Sequence, residues 1–201
     1  MIISAEHGDD LQEHGYIFHR DLYDVNIHVP LLILSPNENP KRISEPVSLL
    51  DIMPTVLGLL NVTIPQNIEG ESLIPLLEGQ SLHRSIFSER PPFNEYSIRA
   101  GKWKYILRNE NKTRNAFLKY VKSVDNSAQF MYSIIINDIT TGDELYDLSS
   151  DPYESINLIG KNLSVEGQLR DEILNFRNKM QKARNKNKGA LTNVNGIFTY
   201  P

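Results

Sequence analysis

Cysteine is absent from all 201 residues. Its absence excludes disulfides, zinc-thiolate sites and cysteine nucleophiles within the chain, and it leaves the compartment open. Long apolar runs are missing too. The best candidate, Val29 to Leu34, has the length of a strand and falls far short of a bilayer span. Positive charge is in short supply: 21 basic residues face 25 acidic ones, for a net charge of -4. That balance argues against nucleic acid or an anionic membrane surface as the main partner. No internal repeat occurs. The first residues, Met1-Ile2-Ile3-Ser4-Ala5, carry no basic region and no long apolar segment, so they do not read as a signal peptide. They read as a strand already under way.

What is present is an ordinary globular composition, 40% apolar and 23% charged, in a length that suits one large domain or two small ones. After the opening strand comes an acidic, His- and Gly-containing loop over residues 6–20. The apolar run Val29 to Leu34, ended by Ser35-Pro36, predicts a strand buried on both faces of a parallel sheet. Ser48-Leu49-Leu50-Asp51 has the form of a capping box and opens a helix to about Leu60, with Ile52, Val56, Leu59 and Leu60 on one face. A short helical turn, Leu73 to Leu77, ends at Gly79.

Composition shifts after about Pro92. Residues 97–100 and 103–107 flank Gly101-Lys102, a hairpin signal, and Phe130 to Ile136 and Glu144 to Leu148 add strand candidates. Phe117, Leu118, Val121 and Val124 recur at helical spacing within residues 109–129. Ser164 to Arg184 predicts an amphipathic helix with Leu169, Ile173, Phe176 and Met180 inward. The expected organisation is therefore an α/β part over residues 1–92, an antiparallel part with a helix over 93–186, and a loose tail over 187–201.

Several segments, in order, resemble the sulfatase family of the alkaline phosphatase superfamily. They are Glu6-His7-Gly8-Asp9-Asp10-Leu11-Gln12-Glu13-His14-Gly15, then His19 to Asp24 with His28-Val29-Pro30-Leu31, then Val47 to Thr55. Glu69 to Leu73, Phe87-Ser88-Glu89, Ile98 to Tyr105, Glu144 to Leu148 and Asp151-Pro152-Tyr153-Glu154 follow. Each is weak alone, and their order over residues 2–160 makes the signal specific. The resemblance implies the C-terminal part of an alkaline-phosphatase-like α/β sandwich with a mostly parallel sheet. A small C-terminal antiparallel sheet with a packed helix lies beside it.

The resemblance also implies hydrolysis of a sulfate monoester, on a small substrate such as a sugar or aryl sulfate. It assigns Glu6 and His7 to one divalent cation, Ca2+ or Mg2+. The family's usual residue at position 6 is Asp, so the extra methylene of Glu6 displaces the carboxylate. His19 stands where many members carry a sulfate-contacting lysine, and it becomes the catalytic and substrate-binding candidate. The family's nucleophile is a formylglycine made within a [CS]-x-P-x-R motif upstream of this region. No such motif occurs here, so the chain is expected to be a fragment that needs the upstream half of the domain and is inactive without it. The complete protein would suit a periplasmic or extracellular setting.

Other polar residues read differently. His14 is expected to order its loop, with a chemical role left open, His28 to be structural and His83 to lie at the surface. Asp9, Asp10 and Glu13 read as a solvated acidic loop, and Lys102 and Lys104 as exposed lysines of an alternating strand. The histidine spacings of 7, 5 and 9 match no helical or finger pattern for zinc. Two alternatives stay open: a phosphodiesterase or phosphonate monoester hydrolase of the same superfamily, and a binding or degenerate remnant.

Overall fold

The computed structural model describes residues 1–15, 17–19, 21–34, 40–90, 94–108, 142–161 and 163–191. The anticipated helix over 109–129 and strand over 130–136 lie outside them. In the N-terminal part, strand β1 (Ile2–Ser4) leads to a small hairpin, β2 (Asp10–Leu11) and β3 (Ile17–Phe18). A four-residue helix, α1 (Asp24–Ile27), precedes β4 (Leu31–Ile33). Helices α2 (Ile52–Leu59) and α3 (Ile74–Leu77) follow. The C-terminal part holds β5 (Ile86–Arg90), β6 (Glu95–Ala100), β7 (Trp103–Leu107), β8 (Glu144–Asp147) and the long helix α4 (Ser164–Leu191).

The last four strands form one antiparallel sheet in the order β5-β6-β7-β8. The β6–β7 turn is the expected Gly101-Lys102 pair, with Ala100 opposite Trp103 and Gly101 at a φ of 56°. Such a two-residue connection needs a left-handed residue, which glycine adopts without a Cβ clash. Both faces of this sheet are covered. Tyr96, Ile98, Tyr105, Leu107 and Leu145 pack with Leu169 and Ile173 of α4, and Phe87 stacks on Phe176 at 4.3 Å. Burial of Leu169 and Ile173 stabilises the helix contact by about 1.5–3 kcal/mol each. On the opposite face Ile106 and Tyr146 pack with Leu22, Tyr23 and Leu148. The segment that enters α1 thus serves as the second cover of the C-terminal sheet.

Two expectations about the strands are corrected. Every strand pair among the described residues is antiparallel, including β1 with β4, so no parallel sheet is formed by them. Nor is β4 buried on both faces: Leu32 is 52% exposed while Leu31 and Ile33 are half-buried. Continuous apolarity reports the surroundings of a strand poorly when only one of its faces is packed.

The helix after Ser48 begins as anticipated, with the capping box formed between Ser48 and Asp51. Its buried stripe, however, is Asp51, Pro54 and Thr55, while Leu59 and Leu60 are exposed. Hydrogen bonds set that orientation. Buried Asp51 accepts from the Ser48 and Glu71 amides at 2.7 and 2.9 Å and pairs with Arg84. Thr55 Oγ1 accepts from the Leu73 amide at 2.8 Å. Satisfying buried polar groups outweighs the apolar stripe in turning the helix.

The sheet starts at Ile86, ahead of the composition shift at residue 92, because β5 pairs along its whole length with β6. Helix α4 continues to Leu191, past the residue where a loose tail is expected. Among the described residues, exposed large apolar side chains concentrate in residues 1–64, with only Tyr153 and Ile156 elsewhere.

Candidate active site

The loop after β1 is fixed by a glycine and an asparagine. The Gly8 amide donates to the Asn26 carbonyl at 2.8 Å, and a Cβ at Gly8 would lie 2.1 Å from the Val25 carbonyl oxygen. Only glycine allows the loop to rest directly on α1. Buried Asn26 reaches both ways: its Nδ2 donates to the Gly8 carbonyl at 3.4 Å, and its Oδ1 accepts from the Asp21 amide at 3.2 Å. The ends of the loop are thereby held together.

Between them the hairpin folds the chain back on itself. Asp10 pairs with Phe18 and Leu11 with Ile17, so the next position outward brings Asp9 opposite His19. His19 Nδ1 lies 3.1 Å from Asp9 Oδ1, and the His7 and His19 rings stack with centroids 3.8 Å apart. His7 Nε2 is 3.4 Å from Glu6 Oε1, while its Nδ1 is 3.9 Å from Asp9 Oδ1. Glu6, His7, Asp9 and His19 therefore form one solvent-facing cluster. Of the residues singled out from the sequence, Glu6, His7 and His19 come together.

Asp9 is the member that sequence reasoning missed. The signal was present in Gly15, which has a φ of 74° and turns the hairpin whose register sets Asp9 against His19. Asp10, expected in a solvated acidic loop, is instead fully buried, and burial pushes its carboxyl up, aided by Glu13.

The other histidines point away from this cluster. His14 stacks on Tyr23 at 3.7 Å, and burial lowers its pKa, which agrees with a loop-ordering role. His28 is exposed, 3.9 Å from Asp24, and His83 is exposed at a φ of 43°.

The donor spacing of the Glu6–His7 pair suits a divalent cation. Two donors about 2.4 Å from one cation and at right angles lie about 3.4 Å apart, which is the separation seen. Glu6 supplies a hard oxygen and is almost fully exposed, so the pair fits as two ligands of a larger set.

Behind the cluster lies a buried charge network that joins it to the C-terminal sheet. Arg108 donates to Asp21 at 2.8 and 3.1 Å and to Glu144 at 2.6 Å, and lies 3.4 Å from Glu95. Arg90 pairs with Glu95 at 2.9 Å and approaches Asp21 at 3.7 Å. The Tyr23 and Tyr146 hydroxyls both donate to Glu144, at 2.6 and 2.5 Å. Burial alone would lower the Arg108 pKa, but Asp21 and Glu144 raise it well above its ordinary value.

A second knot, Lys104 with Asp24 and Glu154 at 2.6 Å each, corrects the reading of Lys104 as an exposed lysine. Burial works against ionisation of both acids. Lys104, with help from Arg99, holds Asp24 below its ordinary value, whereas Glu154 stays raised. Lys102, by contrast, is half exposed over Trp103, 4.6 Å from the ring centre, and bonds Asp147 at 2.6 Å.

Residues 12–181 match the N-sulphoglucosamine sulphohydrolase C-terminal family. The chain belongs to the sulfatase family. Among its sulfatase relatives, arylsulfatase K of Xenopus laevis is 31% identical over 167 residues, 80% of this chain and 28% of that protein. Arylsulfatase K of Danio rerio is 37% identical over 117 residues, 53% of this chain and 22% of that protein. The chain thus spans less than a third of these curated sulfatases.

Two solved structures share the fold. One, in complex with its substrate D-glucosamine-2-N,6-O-disulfate, superposes with a TM-score of 0.56 at 23% identity, over 92% of this chain and 34% of that one. The other, a phosphonate monoester hydrolase from Silicibacter pomeroyi, gives 0.55 at 18% identity over the same shares. This sulfatase chain therefore has the fold of the C-terminal portion of such enzymes, with its antiparallel sheet and packed helix.

Proposed function

We propose that the complete enzyme hydrolyses a sulfate monoester of a sulfated sugar or aryl compound, and that Glu6, His7 and His19 belong to its active site. The observation that carries this reading is the convergence of these three residues on one loop of a sulfatase-family chain. A sulfated-sugar substrate is suggested by the structural relative solved with D-glucosamine-2-N,6-O-disulfate.

Glu6 and His7 would hold a divalent cation, Ca2+ or Mg2+, with ligands from outside these 201 residues completing the set. When bound, the cation supplies a Lewis acid that neutralises charge on the sulfuryl oxygens. His19 Nδ1 is engaged by Asp9, which leaves Nε2 to donate to a sulfuryl oxygen. Stacking on His7 and the pairing to Asp9 hold that ring in place before substrate arrives, so little reorganisation accompanies binding. The family's formylglycine, carried outside residues 1–201, would supply the nucleophile, and this chain alone is expected to release no sulfate.

Sulfate release by the complete enzyme tests the assignment. Glu6→Ala should abolish turnover and weaken Ca2+ or Mg2+ binding, and Glu6→Asp should preserve both. His19→Ala should reduce turnover by about tenfold or more, while His19→Lys retains it. Activity indifferent to both Glu6→Ala and a chelator would sink the metal assignment. The phosphonate monoester hydrolase fold likeness makes a phosphonate ester the natural parallel substrate. Turnover of that ester in preference to the sulfate ester would replace the sulfatase reading.

A further inference from the structure

Positive charge is scarce in this chain, yet it gathers at one end. Six of the 21 basic residues, Arg177, Lys179, Lys182, Arg184, Lys186 and Lys188, follow Ile173, and no acidic residue does. Residues 1–172 hold the other 15 against all 25 acids, a formal charge of -10.

The positive stretch lies on the second half of α4. Lys179 and Lys182 are exposed and stand three residues apart, which puts them on one face of the helix. Neither pairs with an acid among the described residues. Half-buried Arg177 has an Nε that meets no acceptor among the described residues, whereas Arg184 pairs with Glu89 at 2.6 Å. The helix dipole does not account for this charge. It favours cations over the last turn, and Lys182 lies more than two turns before Leu191.

We infer that this face of α4 is a docking surface for a sulfated polysaccharide chain, which it holds near the candidate active site. Glu89 and Arg90 are consecutive on β5 and so point to opposite faces of the sheet. Glu89 meets Arg184 of α4, while Arg90 approaches Asp21, two positions after His19, at 3.7 Å. Gln181 Nε2 donates to Asn94 Oδ1 at 3.0 Å, just ahead of β6. The basic stretch and His19 therefore lie at the same end of the C-terminal sheet, one on each side of it. A polymer that rounds this end rests on α4 and offers a neighbouring unit to the loop.

Charge selects the partner class. A membrane or a DNA duplex presents a broad negative surface, which the -10 remainder of the chain repels. A single narrow chain avoids that remainder by lying along one helix face, where Arg177 to Arg184 span about 10 Å of axis. The choice of a sulfated polymer rests on the sulfated-sugar reading given above.

The test is calorimetry of purified residues 1–201 with dextran sulfate, compared with uncharged dextran, duplex DNA and phosphatidylserine vesicles, at about 0.05 and about 0.15 M salt. Lys179→Gln with Lys182→Gln removes two positive charges. Lys161→Glu makes the same change in net charge ahead of the first turn of α4, at another exposed lysine. A cation beside a polyanionic surface contributes on the order of fivefold in affinity. The double variant should therefore weaken dextran sulfate at least about tenfold, and Lys161→Glu less than about threefold. The higher salt should narrow the difference. In the complete enzyme the double variant should raise KM for a sulfated polysaccharide at least about fivefold with kcat unchanged, and leave hydrolysis of a small aryl sulfate as it was.

Equal affinity in the parent and the double variant, or an equal loss in Lys161→Glu, would overturn the surface. So would tighter binding of the DNA or the vesicles than of dextran sulfate. A complete enzyme that binds dextran sulfate through these lysines yet releases no sulfate from any ester refutes the sulfatase reading and leaves the surface standing.

Discussion

Arg108→Met is the substitution that most directly probes how the site is held. The arginine side chain is 2% exposed, and it neutralises Asp21, Glu95 and Glu144, all at most 1% exposed at the side chain. Among the described residues two arginines, Arg90 and Arg108, face these three buried carboxylates, and the substitution removes one of the two. Methionine fills most of the volume, so the loss is electrostatic.

Breaking a buried pair from one side destabilises by about 3–5 kcal/mol, because the abandoned charge stays buried. Burial is nearly complete, so no reduction for solvent screening applies. In a chain of this length each kcal/mol lowers the melting temperature by about 2–4 °C, which gives a fall of roughly 6–20 °C. Denaturant unfolding followed by far-UV circular dichroism supplies the assay. The triple variant Arg108→Met with Asp21→Asn and Glu144→Gln should recover a large part of the loss, since fewer unpaired charges remain. A single variant less than about 1 kcal/mol below the parent would show that these carboxylates do not need their cation.

Three further outcomes can be measured. Gly8→Ala drives a Cβ into the Val25 carbonyl, so the loop must lift from α1 and the amide at position 8 must lose its bond to the Asn26 carbonyl; faster hydrogen exchange at that amide with the C-terminal sheet still folded is expected, and unchanged protection would refute the close approach. Asp147 is held down to about 2 by Lys102, with Ser149 assisting. A folded-state value below the ordinary 3.8 means that its contribution is complete above about pH 4 and fades as the pH falls toward 2. In Lys102→Met the Asp147 titration, followed by carboxyl NMR, should move up toward 3.8, and an unmoved titration would assign the depression elsewhere. Finally, the exposed apolar side chains of residues 1–64 should make the isolated chain self-associate in light scattering, and a monodisperse monomer at high concentration would refute it.

How far the sequence foretold this structure depended on the range of each signal. Local signals worked: the capping box at Ser48, the Gly101 turn, the Gly79 helix stop and the Leu169–Ile173 stripe all appear where their residues put them. Pairing direction did not follow, because Ile2, Ile3, Leu31 and Ile33 suit a parallel or an antiparallel neighbour equally well. Glu6, His7 and His19 could be named from motif order, but not Asp9, whose role depends on a hairpin register. Lys104 and Arg108 were unreadable for a related reason. Their partners Asp24 and Asp21 lie 80 and 87 residues earlier, and a charged residue on a strand carries no mark of whether its counterion waits across the sheet.

The buried network has a consequence for how this sequence can change over generations. Asp21, Glu95, Arg90, Arg108 and Glu144 share their charges across three strands and the segment ahead of α1. Replacing either arginine alone strands carboxylates in the interior, whereas losing an arginine together with a carboxylate leaves the balance of charge unchanged. Descendants should therefore keep all five or lose them in complementary groups, and the Asp21–Arg108 pair should drift as a unit. Because Asp21 stands two positions after His19, that linkage ties mutations on strand β7's exit to the geometry of the loop. A sheet residue with no contact to any ligand would then leave its trace in the lineage beside the loop's own histidines.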